Sequence, residues 1–238
     1  MALGAVMLSF REATGRTRED VDWFSVQADV LRAAAPWRTF RWYKGQKHYS
    51  GTYWSSTMGD EVIYESRLEL ARLLYADFNR AVTSIVSQPF LLRAEVEGKK
   101  RAHVPDFLLL TTSGPVIVDV KPTSRLDVPD VARTLAWSRE AVERRGWTYE
   151  VWSEPPEDEL ANIRFLAGRR RVSLFDPTLL DVMLAAEFDG VSIAEAISSV
   201  PDYPEARVRA CLLHLMWRKR WVTSMLRPLG DRNVLRRG

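Results

Sequence analysis

Between Val82 and Trp152 the apolar residues come in short runs, the pattern of strands rather than helices. Val82–Val86, Phe90–Val96, Phe107–Leu110, Val116–Val120 and Trp147–Trp152 are the five runs, and Glu97-Gly98-Lys99-Lys100 reads as a turn. From Val131 to Arg145 the period lengthens to a helix that stops at Gly146. Strand, helix and returning strand predict a right-handed crossover within one sheet. Ahead of this block, Thr17-Arg-Glu-Asp20 and the spacing of Val21, Phe24, Val26, Val30 and Leu31 predict a helix to about Ala35, closed by Pro36. Trp37–Trp54 interleaves aromatics with Arg38, Arg41, Lys44, Lys47 and His48, as a twisted hairpin, a DNA-contacting surface, or both. Asp60–Phe78 reads as a helix with Leu70, Leu74 and Phe78 inward and Glu65 and Glu69 on one flank. The competing reading starts that helix at Ser66, since Ser66-Arg-Leu-Glu69 is a capping box.

The pattern changes after Glu154. Asn162-Ile163 opens a short helix, and Gly168-Arg169-Arg170-Arg171 reads as a boundary. Asp176-Pro177 starts a helix to about Phe188, Ser192-Ile-Ala-Glu195 caps a second, and Pro204 opens a third with Val208, Leu212, Leu215 and Met216 inward. Trp217–Leu226 then folds back as a wing. Three helices and a hairpin predict a winged helix, used either for DNA contact or for protein docking. Arg207, Arg209, Arg218 and Lys219 are its candidate DNA-binding residues. The implied domains are an N-terminal extension (1–58), a core (59–168) and a C-terminal domain (169–238).

Chemistry concentrates where Pro105-Asp106-Phe107 meets Asp119-Val120-Lys121-Pro122. If the two runs pair across Ser113-Gly114 so that Leu110 faces Ile117, Asp106 faces Lys121 and Asp119 shares their side. Charged groups in so apolar a strand need compensation. Two carboxylates suit a hard divalent cation, and a neighbouring lysine suits an attacking water or growing negative charge. An Asp–Lys ion pair on an edge strand is the alternative.

Composition sets limits on this picture. The chain has 238 residues, 46% of them hydrophobic and 27% charged, as in an ordinary soluble protein. The net charge of +3 is unevenly spread: from Arg169 onward 12 basic residues face 8 acidic ones. Cys211 is the single cysteine, which excludes an intrachain disulfide and a cysteine-based zinc site. The three histidines are isolated in sequence. The apolar start, Met1–Phe10, has no basic leader and is too short to span a bilayer, so a cytoplasmic protein is expected.

On these motifs the chain resembles the TnsA family, the endonuclease subunit of heteromeric, Tn7-like transposases, within the PD-(D/E)xK nucleases. The resemblance lies in Ser66-Arg-Leu-Glu69-Leu70, Gln88-Pro89-Phe90, Pro105-Asp106-Phe107, Asp119-Val120-Lys121-Pro122, Trp147–Trp152 and Asn162-Ile163. Aspartate at 119 stands where some TnsA proteins carry glutamine. The resemblance implies an α/β, restriction-endonuclease-like mixed sheet flanked by helices. It also implies Asp106, Asp119 and Glu69 (Glu65 as substitute) around Mg2+ or Mn2+, Gln88 nearby, and Lys121 orienting water. The implied activity is cleavage of double-stranded DNA at transposon 5′ ends, beside an integrase-type transposase and an ATPase regulator. A stand-alone restriction or defence nuclease and a non-catalytic binding module are the alternatives.

Overall fold

The computed structural model describes residues 2–38 and 49–238, which divide into two compact units, Met1–Glu154 and Pro155–Gly238. The division falls ahead of the arginine run at 169–171, because the helix at 157–167 packs with the C-terminal helices.

The first unit opens with β1 (Leu3–Glu12), β2 (Thr17–Asp22), α1 (Ala28–Arg32) and β3 (Ala34–Ala35). A hairpin of β4 (Gly51–Ser55) and β5 (Asp60–Tyr64) leads to α2 (Arg67–Phe78). Then come β6 (Val82–Ser87), β7 (Leu91–Val96), β8 (Lys99–His103), β9 (Phe107–Thr111), β10 (Gly114–Val120), α3 (Pro129–Arg144) and β11 (Thr148–Trp152).

Two sheets result. One runs β2-β1-β7-β8, with β3 also paired to β1; the other runs β11-β10-β9-β6. The β10–β11 pair is parallel, as the crossover pattern requires, and its other neighbours are antiparallel. The core contains β1 and β7 (Leu8, Leu92), β9 and β10 (Leu108, Ile117) and α3 (Trp137, Ala141, Val142). On α2, Arg72 makes a bidentate ion pair with Glu150 of β11, at 3.0 and 2.9 Å.

Three expectations change here. The stretch from Thr17 is strand β2, not helix; only Ala28–Arg32 is helical. Its apolar residues serve the core differently: Trp23 is fully buried and donates its indole N–H to the Ala141 carbonyl at 2.9 Å. Asp60–Tyr64 is strand β5, and α2 starts only after Ser66, so Glu65 precedes the helix. The β4–β5 hairpin spans 51–64; Arg41, Lys44, Lys47 and His48, the basic part of the anticipated surface, lie outside the described residues. Asp77 at the end of α2 fastens this hairpin. Its carboxylate accepts from Tyr53 Oη, Ser55 Oγ, Ser56 N–H and Oγ, and Thr57 N–H at 2.7–3.1 Å.

The second unit comprises α4 (Glu157–Ala167), α5 (Pro177–Ala185), α6 (Ile193–Ser198), α7 (Glu205–Trp217) and a two-stranded ladder of β12 (Trp221–Val222) and β13 (Arg236–Arg237). Helix α4 begins five residues before Asn162, with Glu157, Asp158 and Glu159 in its first turn. Asn162 is instead a buried clamp: its Nδ2 donates to the carbonyls of Met225 and Arg227, and its Oδ1 accepts from Leu229 N–H. Asp176 accepts from Thr178 and Leu179 N–H, and Ser192 with Glu195 closes a capping box. Val208, Leu212, Leu215 and Met216 are buried. No helix among the described residues is long and apolar enough to cross a membrane.

Candidate active site

The β9–β10 hairpin pairs Phe107 with Val118, Leu108 with Ile117 and Leu110 with Pro115. That register is two residues away from the one expected, because Gly114 (φ +122°) joins the ladder opposite Thr111 and leaves Thr112-Ser113 as the loop. An even slip keeps every side chain on its face. Continued one step, the register sets Asp106 opposite Asp119, with Asp106 N–H donating to the Val118 carbonyl at 3.1 Å. The Asp106 carboxylate accepts from Val120 N–H at 2.6 Å and from Lys121 Nζ at 3.2 Å. Lys121 Nζ also donates to the Val120 carbonyl at 3.0 Å.

Asp119 is fully buried, on the strand that is covered on both faces. It accepts from His103 Nε2, which lies 2.7 and 2.9 Å from its two oxygens, and from the Tyr149 hydroxyl. Burial works to raise its pKa, but the hydrogen bonds and charge of His103, the Tyr149 bond and the Lys121 ammonium leave it below the ordinary carboxylate value. An ionised Asp119 has only acceptors, so His103 Nε2 carries the hydrogen. Asp106 goes the other way: burial and the Asp119 charge raise its pKa against the pull of Lys121. Burial would lower the Lys121 pKa, yet Asp106 and Asp119 hold it above the ordinary lysine value. Burial also raises Tyr149, with the Asp119 charge adding to it.

Glu69 enters from the first turn of α2. Its N–H donates to Ser66 Oγ at 3.1 Å, and its carboxylate accepts from Ser66 Oγ at 3.0 Å and Glu65 N–H at 2.7 Å. Only 8% exposed, it has a pKa pushed up to about 7 by burial and then by the Asp106 charge. Its charge in turn acts on Lys121, so it belongs to the same electrostatic cluster. Glu65 is committed elsewhere, accepting from Gln88 Nε2 at 2.6 Å. Gln88 (φ +45°) also donates its N–H to the Asp106 carbonyl at 2.8 Å, tying the entrance of α2 to the start of β9.

The donor set suits a hard divalent cation: buried carboxylate oxygens, with Glu69 raised in pKa by burial and the Asp106 charge, and Asp106 by burial and the Asp119 charge. Among the described residues, no three His, Cys, Asp or Glu side chains are close enough to share an ion. The oxygens of Glu69 are turned to its cap and those of Asp119 to His103 and Tyr149.

His103 and Tyr149 are the two residues of this cluster that sequence reading missed. The only signal for His103 was its place three residues before Asp106. For Tyr149 it was the parallel ladder, which sets it beside Ile117 and diagonal to Asp119. In the second unit, Arg207 and Arg218 are exposed, whereas Arg209 is held by Asp231 (2.6 Å) and Glu205 (3.3 Å). Lys219 is half-buried, and burial brings its pKa down to about 8.

Residues 79–154 match the family model described as TnsA-like endonuclease N terminal. No curated protein matches the chain. The matched span includes His103, Asp106, Asp119, Lys121 and Tyr149, with Glu69 ten residues ahead of it. Residues 79–154 therefore resemble a TnsA-like endonuclease N-terminal domain, and Asp106, Asp119 and Lys121 of the buried cluster lie within that stretch.

Proposed function

We propose that the protein hydrolyses DNA phosphodiesters at the 5′ ends of a transposon, as the Mg2+-dependent nuclease subunit of a Tn7-type transposase. The observation that carries this reading is the meeting of Asp106, Asp119 and Lys121 at one end of the β9–β10 hairpin, with Glu69 close enough to raise and be raised. Asp106 and Asp119 would hold the cation, Mg2+ or Mn2+, and Glu69 would complete the shell on turning away from its helix cap. When bound, it would neutralise charge building on the phosphate oxygens.

The chain's own part is positional. An ammonium has three N–H donors, and Lys121 spends two on Asp106 and the Val120 carbonyl. The third is left to orient the water that attacks phosphorus. The P–O3′ bond breaks, the leaving oxygen takes a proton, and the products are a 3′ hydroxyl and a 5′ phosphate. His103 and Tyr149 hold Asp119 ionised and fixed while this happens.

In this reading the second unit is a winged helix that places α7 against duplex DNA. Arg207 and Arg218 would make its first phosphate contacts, with Arg209 and Lys219 behind them. The partners are an integrase-type transposase that processes the 3′ ends and an ATPase regulator, in the bacterial cytoplasm at the nucleoid. The test is nicking of end-labelled transposon-end duplex with Mg2+ or Mn2+, alone and with the transposase. Asp106→Ala and Lys121→Ala should each abolish cutting while the protein stays folded. Full cutting by either variant overturns the reading.

A further inference from the structure

A cavity of about 200 Å3 lies between the β7–β8 hairpin and the first half of α3, lined by Val96, Glu97, Lys99, Arg101, Arg133 and Thr134 with Trp137. It is below the roughly 300 Å3 at which small-molecule sites usually begin, and suits a single anionic group better than a whole cofactor. Its chemistry is cationic. Lys99 and Arg101 alternate with Lys100 along β8, so they share the face that also carries His103. That is the inner face, since the ladder sets Lys99 against Val96, Arg101 against Ala94 and His103 against Leu92, all three partners buried.

The three side chains form a row with a direction. Residues two apart on a strand stand about 6.7 Å from one another. The row begins at the hairpin turn with exposed Lys99, continues with half-buried Arg101, and ends at His103 on the Asp119 carboxylate. Trp137 joins the two ends: it lines the cavity and packs edge-on against the His103 ring, with centroids 6.3 Å apart. Among the described residues no carboxylate pairs with Lys99 or Arg101, whereas Arg133 is engaged by Asp130 at 2.7 Å. Glu97 sits at the turn, the one acidic member of the lining.

We infer that this cavity is a docking site for a backbone phosphate of the DNA strand, one that sets the register in which that strand reaches the carboxylates. The inference rests on the nuclease reading for its ligand, but its observations are separate from the metal cluster. Phosphate contacts of this kind position a nucleic acid without reading its sequence. The alternative explanation is that inward charges on edge strand β8 discourage edge-to-edge pairing.

The experiment uses the full chain and a labelled duplex. Binding is followed by anisotropy over a range of salt concentrations, and cutting is followed in Mg2+. Lys99→Ala/Arg101→Ala should bind about 10- to 100-fold more weakly, with a salt slope shallower by about 2. Lys99→Ala alone, at an exposed position, should show about half that change in slope. Lys100→Ala removes the same charge from the opposite face and should bind as the parent does. Arg101→Lys should recover most of the affinity.

Unchanged affinity and slope in the double variant overturns the phosphate site, as does an equal loss in Lys100→Ala, or self-association as the sole effect. These outcomes are independent of the nuclease reading. A parent chain that binds duplex through Lys99 and Arg101 but never cuts, with or without transposase, refutes catalysis and leaves the phosphate site standing. A parent that cuts while the double variant binds and cuts equally well does the reverse.

Discussion

His103 and Asp119 belong to different sheets, yet the ring Nε2 of the first lies 2.7 and 2.9 Å from the carboxylate oxygens of the second. The contact is a tie between the two layers of the first unit. It is also the main reason a fully buried carboxylate can stay ionised.

Removing that tie should cost stability as well as activity. His103→Ala leaves a buried charge short of a donor and is expected to destabilise the unit by about 2–3 kcal/mol. Tyr149→Phe should cost about 1–2 kcal/mol, since His103 remains. Denaturant unfolding of both variants measures this, and equal stability in His103→Ala and the parent would contradict the assigned contact.

Glu69 has two tasks that substitution can separate. Ser66→Ala removes the acceptor for Glu69 N–H and should cost about 1 kcal/mol with little effect on cutting. Glu69→Gln keeps an acceptor for the Glu65 and Ser66 donors while removing the charge. It should hold stability within about 0.5 kcal/mol and lower cutting at least about 100-fold. Melting curves beside nicking rates decide the matter; a Gln variant that cuts normally would reduce Glu69 to a helix cap.

Asp77 carries no proposed chemistry but fastens β4 and the turn after it to α2 through five donors. Asp77→Ala strands these groups and should destabilise by about 3 kcal/mol, a fall of about 6–12 °C in Tm for a unit of this size. Thermal unfolding by circular dichroism reads it directly.

The second unit should weaken in mild acid. His214 donates through Nδ1 to the Arg169 carbonyl at 2.6 Å, and burial, helped by Arg218, holds its pKa below the ordinary 6.5. The unfolded chain therefore binds the proton first. Stability from this source is complete above pH 6.5 and is lost as the pH falls from there through the lower folded value. His214→Gln should flatten the decline in Tm between neutrality and about pH 5, and an unchanged decline would locate the sensitivity elsewhere.

Much of the centre was legible because its signals are local. Asp106, Asp119 and Lys121 lie on one hairpin, and an error of two in its register left their faces unchanged. Caps at Asp176 and Ser192 marked their helices for the same reason. What escaped depends on pairing between distant segments. Nothing near His103 shows that β8 lies in a different sheet from β9, and nothing near Thr17 shows that β1 is waiting for it. The helix misread at Asp60–Glu65 had apolar residues compatible with either period, and only the cap at Ser66 distinguished them.

Strand β1 pairs with β7, at partners such as Leu8 and Leu92 that are more than eighty positions apart. During synthesis it leaves the ribosome long before that partner exists, so the first sheet cannot be assembled in the order the chain is made. The β9–β10 hairpin, with neighbours close at hand, can form first. The nascent protein thus acquires the scaffold of its acidic cluster before the sheet that supplies His103 closes over it.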